Sequence, residues 1–493
     1  MTDFTAPHSL QQLEQHLQRD LEYLGLPETP WLSKKTCQSQ PIYDVIIIGG
    51  GMAGLTLAAA LRFSGVQNIR LFDKNPPQKA GPWNTHARMQ TLRSPKELTG
   101  PALGVPSLTF RAWYTAQYGE AVWDNLDRIP TAQWHHYLMW YQSVLQLPVS
   151  HQHELVELEQ ANLAPSESTL VKLQIQSPAG TQPYYARHVV LATGMDGLGG
   201  PNLPSYHAHL PKQYWAHSSE SIDFSQHTSH HIAIVGGGDS ALDAAATALD
   251  AGVKQVTIYM RQPAFSQINY WKALTHSGHR YGYAQLQTPQ KVDLWRFLFA
   301  QSTPPARGTI QRLLAHHALQ LSPDTTIQHA QVVDNTLCLR DTNGQNHEAD
   351  FLIFATGYQT DLARRPELKR LVADIQRMQH SELGAELGQN ELPVLNPDFS
   401  FAQAPNQTAN PLLERVHCFT QQALLSVGKI CGDIPSISTG ANQLCQAIVA
   451  KLYRDDFDYQ LEQLKHYDEL EVSAEALDAL YRNTRVYEDM DHY

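Results

Sequence analysis

Two glycine-rich stretches in this sequence have residue types and spacings that suit the binding of a pyrophosphate. In the first, YDVIIIGGGMAGLTLAAALRF at residues 43–63, Gly49, Gly51 and Gly54 form G-x-G-x-x-G. The first glycine permits a tight turn, the second lets the backbone approach a phosphate, and the third lets a helix pack on a strand. Asp73 closes the next apolar strand, where a carboxylate that binds ribose hydroxyls is expected. A membrane-spanning helix would need about 20 uninterrupted apolar residues, so we interpret this stretch as a strand, a loop and a helix.

The second stretch, IAIVGGGDSALDAAATALDAGVKQVTIYMR at residues 232–261, repeats the plan of the first. Gly236, Gly238 and Ala241 form G-x-G-x-x-A, and we expect the two glycines to line a second dinucleotide loop. Ser240 lies in the same loop, so we predict that its hydroxyl contacts a phosphate of the ligand rather than serving as a hydrolase nucleophile.

The two stretches differ at the residue that would contact the ribose. Met260 stands at the spacing from Gly236 that Asp73 has from Gly49, and Arg261 follows it. A carboxylate would repel a ribose 2′-phosphate, whereas a neutral residue beside an arginine favours one. The second loop is therefore predicted to prefer NADP to NAD, with Arg261 as its phosphate ligand. The alternative is that Arg261 only points into solvent at the end of a strand.

The repetition continues downstream of each loop. VVLATG at residues 189–194 and FLIFATG at residues 351–357 are apolar strands that end in the same tripeptide. We assign Thr193 and Thr356, within these tripeptides, to the two cofactor sites. The pattern predicts an α/β fold with two Rossmann-like dinucleotide-binding domains, the second inserted into the first, and helical extensions at both termini.

The predicted domain boundaries follow from these repeats and from composition, because 493 residues exceed what one core usually organises. The segments are a helical extension at 1–41, the first part of the first dinucleotide-binding domain at 42–225, the second dinucleotide-binding domain at 226–350, the second part of the first domain at 351–455, and an acidic helical tail at 456–493. An apolar stripe of leucines at helical spacing, opened by Ser9, predicts that the first extension packs on the main body or on another subunit.

Composition excludes several classes of function. Asp and Glu number 48 against 36 Lys and Arg, and no long basic run is present, so nucleic-acid binding is not expected. The five cysteines show no C-x-x-C spacing and the histidines do not converge, which argues against a zinc site and against a disulfide framework. With no signal peptide and no spanning segment in view, we expect a cytoplasmic protein that is not bound to a membrane.

Two dinucleotides in one chain imply that one cofactor reduces the other, and a flavin facing a nicotinamide is the usual pair. Four short motifs carry a more specific resemblance: GPW at 81–83, MQTLRSP at 89–95, SPKE at 94–97 and ATGYQTD at 355–361. Together with the loops they resemble the class B flavoprotein monooxygenases, which include flavin-containing, Baeyer–Villiger and N-hydroxylating enzymes. The resemblance spans roughly residues 42 to 452 and implies FAD and NADPH as cofactors.

The same resemblance implies which residues lie at the flavin. Trp83 matches the end of a G-G-x-W motif that follows the FAD-binding acid, and so is predicted to contact FAD. Gln90, Arg93 and Ser94 are predicted to lie near the flavin face as the catalytic group, with Gln90 also a cofactor contact. Arg93 stands where flavin-containing monooxygenases have an active-site asparagine, so the group that tunes oxygenation stays open.

A helix predicted from about Gly440 to Leu452 would aim its free N–H groups at the pyrimidine edge of the flavin. There they would favour the anionic reduced ring. Asn442 and Gln443, in the first turn of that predicted helix, are our candidates for contact with FAD.

The resemblance implies that NADPH reduces FAD and that reduced flavin and O₂ give a C4a-(hydro)peroxide, which passes one oxygen to a small-molecule substrate. Amines, thioethers and indole-type rings are the expected soft nucleophiles. Baeyer–Villiger oxygenation is less favoured, because Pro211 and Gln213 replace two residues of its marker motif before His217, and a structural linker role explains His217 equally well. The sequence is also compatible with a flavin reductase or oxidase and with a non-enzymatic redox sensor, and it leaves the oligomeric state open.

Overall fold

Two sheets, each built around one glycine-loop unit, organise the chain: the first is mixed and the second is parallel. The computed structural model describes residues 9–37, 40–161 and 169–483, so residues 1–8 and 484–493 of the two predicted terminal extensions lie outside the described residues. In chain order the strands are β1 Lys35–Cys37, β2 Gln40–Ile48, β3 Ile69–Asp73, β4 Val149–His151, β5 Glu154–Gln160, β6 Val171–Ser177, β7 Gly180–Leu191, β8 Gly199–Pro201, β9 Trp215–His217, β10 His231–Val235, β11 Gln255–Tyr259, β12 Leu319–Ser322, β13 Ile327–Val333, β14 Thr336–Asp341, β15 Asn346–Ala349, β16 Phe351–Phe354, β17 Tyr358–Thr360 and β18 Val416–Cys418.

The helices surround these sheets. They are α1 Leu10–Tyr23, α2 Met52–Phe63, α3 Phe110–Tyr118, α4 Glu120–Asn125, α5 Thr131–Val144, α6 Asp239–Asp250, α7 Tyr270–Ala273, α8 Ser277–Gly282, α9 Thr288–Phe299, α10 Arg307–Leu314, α11 Glu382–Leu387, α12 Leu424–Val427, α13 Ile437–Asp455, α14 Phe457–Lys465 and α15 Ala474–Asn483. Among the described residues, no helix combines the length and the apolar character that crossing a bilayer requires.

The first sheet has the strand order β4-β3-β2-β7-β6-β5, with β1 paired to β2 and β18 paired to β7. Strands β2, β3, β4, β7 and β18 run parallel, while β5, β6 and β7 form an antiparallel meander. The run Val45–Ile48 is buried on both faces, which explains why this central strand is continuously apolar rather than alternating.

The second sheet has the order β12-β11-β10-β16-β9, and all of its strands are parallel. It lies in the sequence between β7 and β18 of the first sheet, so the predicted insertion of one Rossmann-like domain into the other is confirmed. Strand β8 lies where the chain passes from the first domain to the second, and β17 lies where it returns; the two strands pair antiparallel. Strands β9 and β16 belong to the second sheet although the predicted boundaries at 225 and 351 gave them to the first domain, because edge pairing with β10 could not be seen in the local pattern.

A helical segment that the sequence did not reveal links the two domains. Residues 262–306, here called the helical bridge, leave the second sheet after β11 and pack against α11 and α12, near the return of the chain to the first sheet. The buried Tyr283 hydroxyl donates to the Leu425 carbonyl at 2.6 Å and accepts from Trp295 Nε1 at 2.7 Å. The first of these hydrogen bonds ties the bridge to α12, and the second, between two bridge residues, fixes the Tyr283 hydroxyl in place.

Helix α1 docks on the first domain, which confirms the predicted packing on the main body. Leu13 and Leu17 are buried, and the Ser9 hydroxyl accepts from the Gln12 amide as the predicted cap. Trp140 Nε1 donates to the Glu14 carboxylate at 3.1 Å, so the contact has a polar rim around its apolar stripe.

Two buried histidines of the first sheet, His188 and His417, are neutral and linked in a chain of hydrogen bonds. His417 Nδ1 donates to the Asp398 carbonyl at 2.8 Å, so its Nε2 accepts from His188 Nδ1 at 3.0 Å. His188 Nε2 in turn accepts from Arg415 at 3.2 Å. Burial lowers the pKa of His188 well below its usual range, and burial with the nearby charge of Lys451 lowers the pKa of His417 to about 4.

The lowered pKa of His417 predicts that the free energy of unfolding decreases on acidification. Between pH 6.5 and pH 4 the unfolded chain takes up a proton at His417 that the folded chain does not, so folding stability falls as the pH drops through this window. The shift corresponds to about 3 kcal/mol for His417 alone. Thermal melts across this range should show a weaker pH dependence for His417→Gln than for the native protein. Parallel curves for the two proteins would contradict the assignment.

Candidate active site

The first glycine loop joins β2 to α2 and leaves no room for a side chain at Gly49 or Gly54. Gly49 has φ +116°, and a Cβ there would overlap the carbonyl oxygen of Ala192. A Cβ on Gly54 would overlap the carbonyl oxygen of Gly49. Helix and strand therefore meet backbone to backbone, which leaves the first N–H groups of α2 open toward a ligand at the carboxyl end of the sheet.

Asp73 lies beside this loop at the end of β3. Its buried carboxylate accepts from the Gly50 amide and from the Asn75 amide, each at 2.8 Å. The two backbone donors fix the orientation of the carboxylate. Its remaining lone pairs are available to the hydroxyls of a ribose.

Two buried polar atoms near the loop have no hydrogen-bond partner among the described residues: Trp83 Nε1 and Thr193 Oγ1. Gly81 lies two residues before Trp83 and packs on the loop: a Cβ built on Gly51 would lie 3.6 Å from the Gly81 Cα. Buried polar groups rarely stay unpaired, so these two atoms fit a bound ligand that offers hydrogen-bonding groups. The glycine loop, Asp73, Trp83 and Thr193 thus lie together and suit a dinucleotide.

The second loop joins β10 to α6 and has the same backbone geometry. Gly236 has φ +140°, and a Cβ there would overlap the carbonyl oxygen of Ala355, just as Gly49 meets Ala192. A Cβ on Gly238 would meet no atom within 4 Å. Ser240 is exposed. The loop therefore opens toward solvent at the point where a pyrophosphate would lie.

The residues beside the second loop differ from those beside the first. Met260 is buried against Gly237, and Arg261 is exposed without a hydrogen bond or ion pair among the described residues. The Gln262 amide lies at the loop, with Oε1 3.0 Å from a Cβ built on Gly237. The sequence reasoning missed Gln262, because counting from the glycines ended two residues earlier.

Thr356 lies between β16 and β17, next to Ala355, whose carbonyl oxygen packs on Gly236 of the second loop. Its hydroxyl donates to the Asn202 carbonyl of the outgoing connection. The neighbouring His217 is buried, its Nε2 donates to the Gly357 carbonyl at 3.1 Å, and its Nδ1 contacts the Ser219 hydroxyl at 2.7 Å. Burial lowers the pKa of His217. These contacts favour the structural linker role that we considered for His217.

The segment from Arg88 to Ser94 lies between the two domains. Arg88 donates to the Glu220 carbonyl at 2.6 Å, and Arg93 forms an ion pair with Asp239 in the first turn of α6. Arg93 thus contacts the second loop, and its position at the flavin face stays a prediction. Gln90 is exposed and Ser94 is half-buried, and neither side chain makes a hydrogen bond among the described residues.

Helix α13 starts at Ile437, three residues before the predicted start at Gly440. Asn442 and Gln443 consequently lie in its second turn rather than at its free N–H groups, and neither side chain makes a hydrogen bond among the described residues. The carboxyl end of α13 contacts Arg187 near the amino end of the first sheet. Its N-terminus therefore faces the edge that carries the first glycine loop.

Comparison with known proteins agrees with this two-site geometry. Residues 122–360 match the family model of L-lysine 6-monooxygenase/L-ornithine 5-monooxygenase, and residues 46–196 match a FAD-NAD(P)-binding family. The chain is 35% identical over 469 residues to a FAD-dependent urate hydroxylase of Xanthomonas campestris pv. campestris, covering 94% of this chain and 97% of the relative.

Solved structures share the fold. The ornithine N-hydroxylase of Kutzneria sp. 744, with reduced FAD, NADP⁺ and L-ornithine, has a TM-score of 0.67 at 18% identity, covering 83% of this chain and 100% of that one. An ornithine hydroxylase from Pseudomonas aeruginosa has a TM-score of 0.64 at 16% identity, covering 84% and 99%. With two dinucleotide loops, orphaned polar groups beside the first, and a full-length relative, this chain belongs to the class B flavoprotein monooxygenases and is an enzyme that uses FAD and NADPH.

Proposed function

We propose that this enzyme hydroxylates an electron-rich nitrogen heterocycle of the urate type, with FAD at the first glycine loop and NADPH at the second. The observation that carries the proposal is the 35% identity to a FAD-dependent urate hydroxylase over 94% of the chain. Urate is a fused, electron-rich ring, and it falls within the soft nucleophiles, among them indole-type rings, that the sequence motifs favour.

FAD is assigned to the first loop because Asp73 suits a ribose and not a 2′-phosphate. The Asp73 carboxylate is held by two backbone amides and is the counterpart of the neutral Met260. Trp83 Nε1 and Thr193 Oγ1, buried without partners among the described residues, would donate to polar groups of FAD. When bound, FAD takes a hydride from NADPH and activates O₂ for transfer to the substrate.

NADPH is assigned to the second loop because its surroundings favour an extra phosphate. Arg261 is exposed and makes no ion pair among the described residues, so its guanidinium is available to a 2′-phosphate. Ser240 lies in the first turn of α6, where its hydroxyl would donate to the pyrophosphate.

We place the substrate between the domains, beside the segment from Arg88 to Ser94, because this segment contacts the first turn of α6 in the second domain. Gln90 lies on the segment that crosses this space, and its exposed amide makes no hydrogen bond among the described residues. An amide offers one acceptor and two donors, which complements the alternating N–H and C=O groups of a urate-type ring. We propose Gln90, with Ser94 beside it, as the groups that orient the substrate.

N-hydroxylation of an amine is the second candidate. It is favoured by the match of residues 122–360 to the lysine and ornithine monooxygenase family model. In that case the orienting groups would bind an ammonium-bearing chain instead of a planar ring.

The test uses FAD-loaded protein, NADPH and air, with urate, ornithine, lysine, indole and a thioether supplied separately. We expect urate to raise the rate of NADPH oxidation at least about tenfold and to disappear in equal amount with NADPH and O₂. Formation of a hydroxylamine from ornithine or lysine, with urate unchanged, would transfer the assignment to the second candidate. NADPH oxidation that yields only hydrogen peroxide with every compound would contradict both.

A further inference from the structure

The two dinucleotide helices begin with residues of different charge. Helix α2 follows Gly51 and starts with Met52, whereas α6 follows Gly238 and starts with Asp239. The backbone of the two loops is otherwise alike, since both capping glycines are extended and the first glycine of each contacts an alanine carbonyl. Only the second site carries a carboxylate at the first helical position.

A carboxylate at this position acts against the function of the loop. The N–H groups and the positive end of the helix dipole attract a pyrophosphate. An acid in the first turn interacts well with the same dipole, but it places a negative charge next to the bound phosphates. Without a counter-ion, Asp239 would weaken the binding of the nucleotide.

The counter-ion is supplied by the other domain. Arg93 pairs with Asp239 and also donates to the Pro304 carbonyl, and Arg128 Nη1 donates to the Arg93 carbonyl at 3.1 Å. These contacts hold both the side chain and the backbone of Arg93 in place. The Arg93 guanidinium is therefore fixed next to the first turn of α6.

Other acids on α6 find partners within the second domain. Asp243 accepts from the Thr309 hydroxyl at 2.6 Å, and Asp250 pairs with Arg312 at 2.8 Å. The charges of Arg93 and Arg88 also act on Asp243, but Asp239 is the α6 acid that forms a direct ion pair with Arg93. Neutralisation of the second loop therefore depends on how the first domain lies against it.

We propose that Arg93 is a positioning residue for the nicotinamide nucleotide: by neutralising Asp239 it lets the pyrophosphate approach the second loop. The inference rests on the assignment of NADPH to that loop. It follows that the nucleotide site is complete only while the segment around Arg93 lies against α6, which couples nucleotide binding to the arrangement of the two domains.

The test is calorimetric titration of NADP⁺ into the oxidised, FAD-loaded enzyme, which needs no turnover and no substrate. Arg93→Gln should raise the Kd for NADP⁺ about tenfold at low ionic strength, and less at high ionic strength. Asp239→Asn alone should bind NADP⁺ at least as tightly as the native enzyme. The double variant Arg93→Gln, Asp239→Asn should return to within about threefold of the native Kd.

Two further variants separate the possible failures. Arg296→Gln removes an exposed arginine ion pair between the helical bridge and α11, with no hydrogen bond or ion pair to α6 among the described residues, and should leave the Kd unchanged. Arg261→Ala tests the assignment of the site itself. If Arg261→Ala weakens binding but Arg93→Gln does not, or if the double variant binds as weakly as Arg93→Gln, the role of Arg93 is refuted. If neither arginine affects the Kd, the assignment of NADPH to the second loop is wrong.

Discussion

Gly54→Ala should produce folded or partly folded protein that carries almost no FAD. The alanine Cβ would overlap the carbonyl oxygen of Gly49 and lie 3.3 Å from the side chain of Ile47. Gly49 cannot yield, because it has φ +116° and itself packs on the Ala192 carbonyl. Helix α2 would have to move away from β2, and its N–H groups would no longer face the pyrophosphate.

The ratio of flavin absorbance to protein absorbance after purification measures this effect, and we expect a fall to below roughly one tenth. Gly238→Ala is the matched control, because its Cβ would meet no protein atom within 4 Å. That variant should keep its FAD and lose affinity for NADP⁺, since the added methyl group occupies the space assigned to the phosphates. Full FAD content in Gly54→Ala would refute the close-packing explanation.

The sequence predicted the parts of the fold that depend on local chemistry. In a Rossmann-like unit the informative residues lie within about 25 positions of one another. They are an apolar run buried on both faces, a glycine with positive φ and an acid at a strand end. The sequence could therefore place β2, α2 and β3, and then find the same pattern in β10, α6 and β11. Domain boundaries could not be placed as well, because β9 and β16 are defined only by the distant strand with which each pairs.

The candidate site was predictable to a lesser degree. The resemblance placed Arg93 at the flavin, but its partner Asp239 lies far along the chain, and an ion pair between domains has no local signal. A short 3₁₀ turn at Ile434–Ser436, with Pro435 near its start, leads directly into helix α13. The helix therefore starts at Ile437, before Gly440, which we took as its first residue. The helical bridge was missed because its partners, α11 Glu382–Leu387 and α12 Leu424–Val427, lie far beyond it along the chain.

Arg187→Met should destabilise the protein by about 3 kcal/mol, because it leaves the buried Asp44 without its ion-pair partner and the buried Asp456 with Lys35 as its remaining cation. Arg187 is 2% exposed and donates to Asp44 at 3.2 Å and to both oxygens of Asp456 at 3.0 Å. Burial already raises the pKa of Asp44 to about 6, and the Arg187 charge opposes that rise. Without Arg187 the pKa of Asp44 in the folded variant rises further above its unperturbed value. At pH 8 the unfolded chain carries the ionised carboxylate at no cost, whereas the folded variant must either bury that charge or take up a proton. At pH 5 the Asp44 carboxyl is already mostly protonated in both folded proteins. The defect should therefore be smaller at pH 5 than at pH 8.

The effect extends to the active site because Asp456 directly follows α13. Loss of Arg187 removes one of the ties that hold the carboxyl end of that helix to the sheet, while the Lys35–Asp456 and Arg415–Asp455 pairs remain. The N-terminus of the helix, which faces the first glycine loop, is then held less firmly. We expect lower FAD content together with a lower melting temperature. Arg370→Met is the matched control, since Arg370 is exposed and pairs with Glu157 and Glu159 at the surface, where ion pairs contribute at most about 1 kcal/mol. Equal destabilisation by the two substitutions, or a defect at Arg187 that does not change between pH 5 and pH 8, would show that α13 is held by its apolar face alone.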